Sequence, residues 1–394
     1  MRSVLFVDDE PMVLESLRNV LRKQRHVWDM SFVGSGELAL DALARKSHDA
    51  VVSDMRMPGM DGAELLREVR ERYPGTMRIV LSGQASKEEL ARALPVAQQI
   101  LSKPCDPKTL CAVLERLFQV QSLLDDERLR SLVGGLDHLP AFPKCFDHLS
   151  QAMHRDDVSL AEIAAIVERD PALSATALSM ANAAYFGLPK PTTSIQTAIR
   201  HVGFGLLRFL ALSSTLFARI DSSLLESKTL RDLPLRSVLK AQLARELVSD
   251  RTRADKAFAA GLLLDIGIIV LAQGRVESYV EILTSAESES RPLHEIEREQ
   301  LGYSHAEAGA YLLGLWGLPP KLVEVVASHH RPEWPTAPDD SLGVAVHVAD
   351  VLVDSLRAGR QDPLEGFAPA FRGRSDVSPF LPGWVERARE VVKS

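Results

Sequence analysis

The stretch AVVSDMRMPGMDG, residues 50–62, sets an apolar run, Ala50 to Val52, just ahead of Asp54 and breaks at Pro58 and Gly59. A short apolar run that ends in a carboxylate and a turn reads as a buried strand with Asp54 at its carboxyl end. The same alternation repeats on both sides of it. Val4 to Val7 precedes the amphipathic stretch Met12 to Leu21, Val27 to Val33 precedes Leu38 to Leu43, and the run at 50 precedes Leu65 to Val69. Ile79 to Leu81 and Ile100 to Leu101 supply two more strands, the latter after a helix-like segment from Lys87 to Leu94. Five βα units in about 120 residues predict an open, mostly parallel α/β sheet with helices on both faces.

The whole chain is 394 residues long, too long for one domain at roughly 100 to 200 residues each. Its 46% hydrophobic and 25% charged content is that of a folding globular protein, which excludes a disordered or collagen-like chain. The net charge of −7 argues against a broad nucleic-acid-binding face. Cys105, Cys111 and Cys145 form no CxxC and have no histidine at zinc spacing, so reduced cysteines in a cytosol fit better than a disulfide framework. No apolar run reaches about 18 residues, and the start MRSVLFVDDE turns acidic where a signal peptide needs apolar residues. A cytoplasmic protein without membrane contact is expected.

From Pro107 to about Leu132 neither Pro nor Gly interrupts the chain, and Leu110, Leu114, Leu117, Leu124 and Leu132 fall near one helical face. This predicts a long linking helix over 107–135 that overlaps the last helix of the first domain, residues 1–120. Gly134, Gly135, Pro140 and Pro143 then end it. Beyond Pro143 the pattern is helix after helix: 160–168, 172–181, 195–202, 206–217, 235–248, 257–271, 278–286, 294–301, 306–315, 320–329 and 342–356. An all-α second domain over 136–355 follows. Asp170-Pro171 reads as a capped helix start, and Asn182 and Tyr185 as polar groups that either satisfy buried backbone, the reading preferred, or edge a partner-binding groove. Phe186, Phe204, Phe209 and Phe217 read as core, and the tail 356–394 as a loose surface covering.

In the first domain Asp8 and Asp9 follow the first strand, Asp54 ends the third, Ser82-Gly83 follows the fourth and Lys103-Pro104 the fifth. All lie at carboxyl strand ends, the edge at which open α/β sheets bind ligands. Three carboxylates there repel one another unless a hard cation such as Mg²⁺ joins them, and the lysine and hydroxyl are suited to a phosphoryl group. VDDEP, SDMRMPGMDG, LSG and SKP, in this order and spacing, resemble the receiver domain of two-component response regulators, a flavodoxin-like doubly wound fold. The resemblance implies that Asp54 is the phosphoacceptor and that Asp8, Asp9, Asp54 and the backbone carbonyl of Arg56 bind Mg²⁺. It also implies that Ser82 and Lys103 contact the phosphoryl group. One departure is Leu101, where such domains usually carry Tyr or Phe; the signal is then expected to leave through the fourth and fifth helices. Cys105 reads as a buried small hydrophobe.

LxxLPAFP at 136–143, ERDPALSATALSMANAAYFG at 168–187, GLLLDIG at 261–267, LGYSHAEAGAYLLGLWGLP at 301–319, His329-His330 and HVAD at 347–350 together resemble the HDOD domain, a degenerate relative of the HD-type metal phosphohydrolases. Active HD enzymes hold metal with a histidine, a His-Asp pair and a later Asp. Aligning PLRSVLKAQLA (234–244) to the family's first helix puts Arg236 at the first histidine position. The pair reads Leu264-Asp265, and Asp350 matches the last aspartate. His305, His329 and His330 match histidines that bind further metal ions in some relatives; here they are expected to be satisfied locally at helix ends. No metal is expected in this domain, and Arg236 is expected to pair with Asp265 or Asp350 in its place.

The expectation is a response regulator, phosphorylated on Asp54 by a sensor histidine kinase or phosphotransfer protein. Its HDOD output would be non-catalytic, binding a downstream signalling protein and dimerising if the linking helix allows. A receiver-regulated HD phosphohydrolase and a DNA-binding transcription regulator are the alternatives. Loss of both histidines counts against the first, and the acidic balance with no helix-turn-helix appendage counts against the second.

Overall fold

The computed structural model describes residues 1–83, 85–122, 126–136, 139, 143–155, 157–184, 187–188, 190–203, 224–248, 250–330, 341–374 and 377–393. The strands are β1 (Arg2–Val7), β2 (Trp28–Val33), β3 (Ala50–Asp54), β4 (Met77–Ser82) and β5 (Gln99–Ser102). They form one parallel sheet in the order β2-β1-β3-β4-β5. The order reverses between β1 and β3, which opens a crevice at their carboxyl ends. The central strands are buried along almost their whole length, as strands covered on both faces must be.

Each strand is followed by a helix: α1 (Pro11–Val20), α2 (Gly36–Arg45), α3 (Gly62–Arg72), α4 (Lys87–Ala93) and α5 (Pro107–Ser122). Their starts are chemically marked: Ser35 accepts from the Leu38 N–H, while Asp61 with Glu64 and Ser86 with Glu89 form capping boxes. The sheet and its five βα units are as the sequence predicts.

The linking helix is not continuous. α5 ends at Ser122 and α6 (Glu127–Gly135) starts anew, with Asp126 in extended conformation accepting from the N–H groups of Arg128 and Leu129. Aspartate competes well as a cap, so the acidic run that looked like a charged helix face is a helix start.

The remaining helices are α7 (Pro143–His154), α8 (Leu160–Val167), α9 (Pro171–Asn182), α10 (Ile195–Val202), α11 (Lys228–Leu247), α12 (Arg251–Leu263), α13 (Ile266–Gly274), α14 (Val276–Glu289), α15 (Leu293–Leu301), α16 (His305–Leu315), α17 (Pro320–Ser328) and α18 (Ser341–Arg357). The single helix expected over 257–271 is two, because the chain turns at Leu264-Asp265 between α12 and α13. The stretch Arg253–Gly274 holds an 18-residue window apolar enough to cross a membrane by composition, and 83% of that window is buried inside the protein. Asp170 caps α9 with Pro171 at its first position, and Asn182 bonds the backbone of Thr192 through both its amide nitrogen (3.0 Å) and its oxygen (2.7 Å). Tyr185, Phe186, Phe204, Phe209, Phe217 and the helix expected at 206–217 lie outside the described residues.

The tail is not loose. After α19 (Pro369–Arg372), α20 (Leu381–Lys393) packs on α11 and α18, and Phe367, Phe371, Val377, Leu381, Ala388 and Val391 are buried. The His347 ring meets Phe367 and Phe371 edge-on. Apolar residues spaced among Pro, Gly and Arg carry too little periodicity to announce this packing.

The two domains dock. Arg78 of β4 is 2% exposed, and its guanidinium donates to the carbonyls of Val96 (2.7 Å), Thr76 (3.1 Å) and, in α6, Gly134 (2.6 Å). Burial without a carboxylate partner pushes its pKa down to about 9. The amide of Gln99, on β5, donates 2.8 Å to the carbonyl of Leu315 at the end of α16.

Candidate functional site

Two buried charge clusters stand out, one in each domain. At the sheet crevice, Asp8 and Asp54 are 1% and 8% exposed at the ends of β1 and β3. Lys103, one residue past β5, lies between them: its ammonium is 2.7 Å from Asp8 and is also paired with Asp54. Its backbone N–H donates to the Ser82 carbonyl, which fixes the loop against β4. Burial alone would lower the Lys103 pKa, but hydrogen bonds and charge from Asp54 and Asp8 outweigh it and raise it.

The backbone N–H of Arg56 donates 3.1 Å to Asp54, so the turn after β3 wraps the carboxylate. Its side chain forms a bidentate pair with Glu89 at the start of α4, at 2.6 and 3.0 Å. Asp9 is half-buried beside Asp8, and Ser82 is buried at the end of β4. The fold thus brings the predicted receiver residues to one mouth. With Asp8 and Asp54 on one ammonium and Asp9 next in the chain, the donor set is all oxygen and in excess negative charge, the chemistry that a hard divalent cation fits. Leu101 is buried, with no aromatic rotor at that place. Cys105 is half-buried, and burial raises its thiol pKa.

The second cluster lies where α11, α13, α16 and α18 converge. Its centre is Lys240, 1% exposed, a residue the sequence reading passed over. The ammonium is 2.7 Å from Asp265, 2.6 Å from Asp350 and 3.1 Å from Asp354. Burial would depress its pKa, yet Asp265, Asp350 and Asp354 together raise it well above the usual lysine value. The same pairing, with Arg236, holds Asp265 far below the usual carboxylate range against the upward push of burial. Arg236 does pair with Asp265 (3.2 Å), and its other contact is Asp354 (3.4 Å); Asp350 pairs with Lys240 instead. The signal in the sequence was a matched spacing: Arg236 and Lys240 are four apart on α11, and Asp350 and Asp354 four apart on α18, so each pair shares a helical face.

Beside it sit the histidines. Glu297, fully buried on α15, accepts from the backbone N–H of His305 (2.8 Å) and holds its Nδ1 at 2.6 Å. Burial lowers the His305 pKa, but Glu297 and Asp265 more than restore it, and the net shift is upward. His329 Nδ1 donates to the Val326 carbonyl (2.7 Å), while its Nε2 lies 3.8 Å from Asp265. Burial pushes the His329 pKa down to about 4. His330 and His305 share a hydrogen bond between their Nε2 atoms (2.8 Å), and His294, also missed from sequence, stacks on His330 at 4.0 Å. The ligand nitrogens of His305, His329 and His330 lie within 4.8 Å of one another, so among the described residues this trio could hold a divalent metal. The Lys240 charge acts on His305 and His330 and opposes a second cation there.

A hydrolase metal does not fit at Asp265 and Asp350, because an ammonium already fills the space between them. Over the cluster opens a cavity of about 480 Å³, walled by Arg236, Arg291, His294, His330 and Arg357 among others.

Comparison with known proteins agrees with this division. The model of the response regulator receiver domain matches residues 4–115, and that of the HDOD domain matches residues 139–332. The response regulator MmoQ from Methylococcus capsulatus has a similar fold: TM-score 0.53 and 24% identity, over 65% of this chain and 98% of that one. A Campylobacter jejuni virulence factor gives TM-score 0.52 and 19% identity, over 68% of this chain and 98% of its own. An uncharacterised Treponema pallidum protein is 26% identical over 210 residues, which is 53% of this chain and 40% of that protein. The hydrogenase transcriptional regulatory protein HoxA of Cupriavidus necator is 35% identical over 126 residues, which is 32% of this chain and 26% of its own length. The chain thus spans less than half of these two curated relatives. The chain therefore carries a response regulator receiver domain joined to an HDOD domain, a make-up that fits two-component signalling.

Proposed function

We propose that this response regulator accepts a phosphoryl group on Asp54 from a histidine kinase or phosphotransfer protein. Its HDOD domain then passes the signal in the cytoplasm by binding another protein, without hydrolysing a substrate. One observation carries the non-catalytic reading: the Lys240 ammonium stands between Asp265 and Asp350, where an HD enzyme needs its metal.

At the receiver, a carboxylate oxygen of Asp54 would attack phosphorus in line as the bond to the donor's histidine nitrogen breaks. Asp8, Asp9, Asp54 and the Arg56 carbonyl are the groups that would hold Mg²⁺, which when bound offsets charge on the phosphoryl oxygens. Lys103, already between Asp8 and Asp54, is placed to follow that charge, and Ser82 lines the same edge. The Arg56–Glu89 pair links this mouth to α4, a route outward that needs no aromatic at position 101.

The test is acetyl phosphate labelling of wild type and Asp54→Asn, with metal analysis and hydrolysis assays on cyclic dinucleotides and nucleotides in added Mn²⁺. Asp54-dependent labelling, metal below about 0.1 per helical domain and no turnover are expected. Stoichiometric metal with Asp265-dependent turnover would overturn the non-catalytic reading.

A further inference from the structure

α16 touches both domains. Its last residue, Leu315, takes the hydrogen bond from Gln99 of the receiver's β5, and its first, His305, belongs to the buried charge cluster. At about 1.5 Å per residue its 11 residues span about 16 Å. Both ends are closely packed, against side chains at the receiver end and against backbone at the cluster end. Near the receiver, a Cβ on Gly314 would lie 2.8 Å from Val120 of α5, and Gly317 lies under the Arg116 guanidinium. At the cluster end, a Cβ on Gly267 of α13 would lie 1.8 Å from the His305 carbonyl, and Gly309 faces Gly267 and Ile266.

These contacts leave no slack. Ten of the 11 residues of α16 are buried, and close-packed interfaces pass a displacement on instead of absorbing it. A shift of the α5 or β5 edge must therefore move α16 or break the contacts at its end. Moving α16 carries His305 relative to Glu297 and, through Gly267, presses on the turn that holds Asp265. The interface also holds an incompletely satisfied cation: Nε and Nη2 of Arg116 are buried without a hydrogen-bond partner among the described residues. Such a group favours an alternative packing in which it is solvated.

We propose that α16 is the rigid link through which the state of the receiver reaches the Lys240–Asp265–His305 cluster and the cavity above it. The proposal rests on Asp54 as the phosphoacceptor. Coupling between sites is reciprocal, so a change at the cluster must alter ligand affinity at the receiver.

The experiment uses the full chain with Mg²⁺ and beryllofluoride, a phosphoryl analogue. In wild type, hydrogen exchange should change at residues 305–308 and 326–330 as well as at 96–122, and all of it should vanish in Asp54→Asn. In titration calorimetry, His305→Gln and Glu297→Gln, both remote from Asp54, should shift the beryllofluoride half-saturation by at least about fivefold, the lower end of ordinary allosteric coupling. Exchange changes confined to 78, 96–99, 133–136 and 312–317 would mean simple undocking and overturn the link. So would unchanged affinity in both variants. If the variants fail to fold, the wild-type exchange pattern decides. No beryllofluoride binding to wild type would instead defeat the phosphoacceptor reading, and the link with it.

Discussion

Replacing Lys240 with methionine keeps the stem and removes the charge, so it isolates what the ammonium does. In the native cluster Lys240, Asp265 and Asp350 are buried together, with Asp354 and Arg236 at the rim. Removing one partner of a buried ion pair leaves the other uncompensated and costs about 3–5 kcal/mol. Here two buried carboxylates lose their shared counter-ion, which puts Lys240→Met toward the upper end. At about 2–4 °C per kcal/mol for a domain of this size, thermal unfolding followed by circular dichroism should drop by about 10 °C or more. The sign of the pH dependence follows from the same charges. In wild type the depressed Asp265 pKa contributes stability that is present above its unfolded value and lost as pH falls through the folded one. In Lys240→Met, burial and mutual repulsion raise both carboxylate pKa values, so the deficit should shrink on acidification as they protonate. Mn²⁺ should restore part of the loss at neutral pH, since a cation bound by the folded state alone stabilises it. A variant within 1 kcal/mol of wild type at pH 7 would refute the picture of Lys240 as the resident cation.

Three other outcomes are expected. His329 is held at a pKa of about 4, so the unfolded chain binds a proton that the native one does not between about pH 6.5 and 4; stability should fall across that window by up to about 3 kcal/mol, and His329→Gln should flatten the fall in pH-dependent denaturation. His305, with its pKa raised by Glu297 and Asp265, acts oppositely and loses its contribution above pH 6.5, which His305→Gln would expose as a flatter alkaline limb. Asn182→Ala strands the N–H and carbonyl of Thr192, and urea unfolding should show a loss of about 2 kcal/mol.

Much of the receiver was legible because its chemistry sits where periodicity stops. Each strand is a short apolar run, and the residues just after the runs are the ones the crevice collects. The helical domain hides its centre for the opposite reason. Lys240 stands inside a helix among Leu239, Ala241 and Leu243, and a lysine there looks like part of a solvated face until α18 is known to lie against it with Asp350 and Asp354. Glu297 and His294 are equally silent, since α15 carries charges all along its length. The break at Asp126 falls in an acidic run that suits a helix surface as well as a helix start; only the cap geometry distinguishes the two. In the tail, Phe367 and Phe371 are buried against His347, a long-range pairing that no local pattern encodes.

The ammonium between Asp265 and Asp350 also bears on whether such a site could take up a hydrolytic metal. Restoring histidines at 236 and 264 would rebuild the ligand list on paper, yet an incoming metal would still meet a positive charge pinned by three carboxylates. Any single step back is unfavourable: losing Lys240 first destabilises the fold, and adding histidines first gains no metal. On the non-catalytic reading proposed above, the charge at Lys240 would keep a hydrolytic metal out even where the histidines are restored, and the surfaces around the cavity would be free to change without restoring hydrolysis.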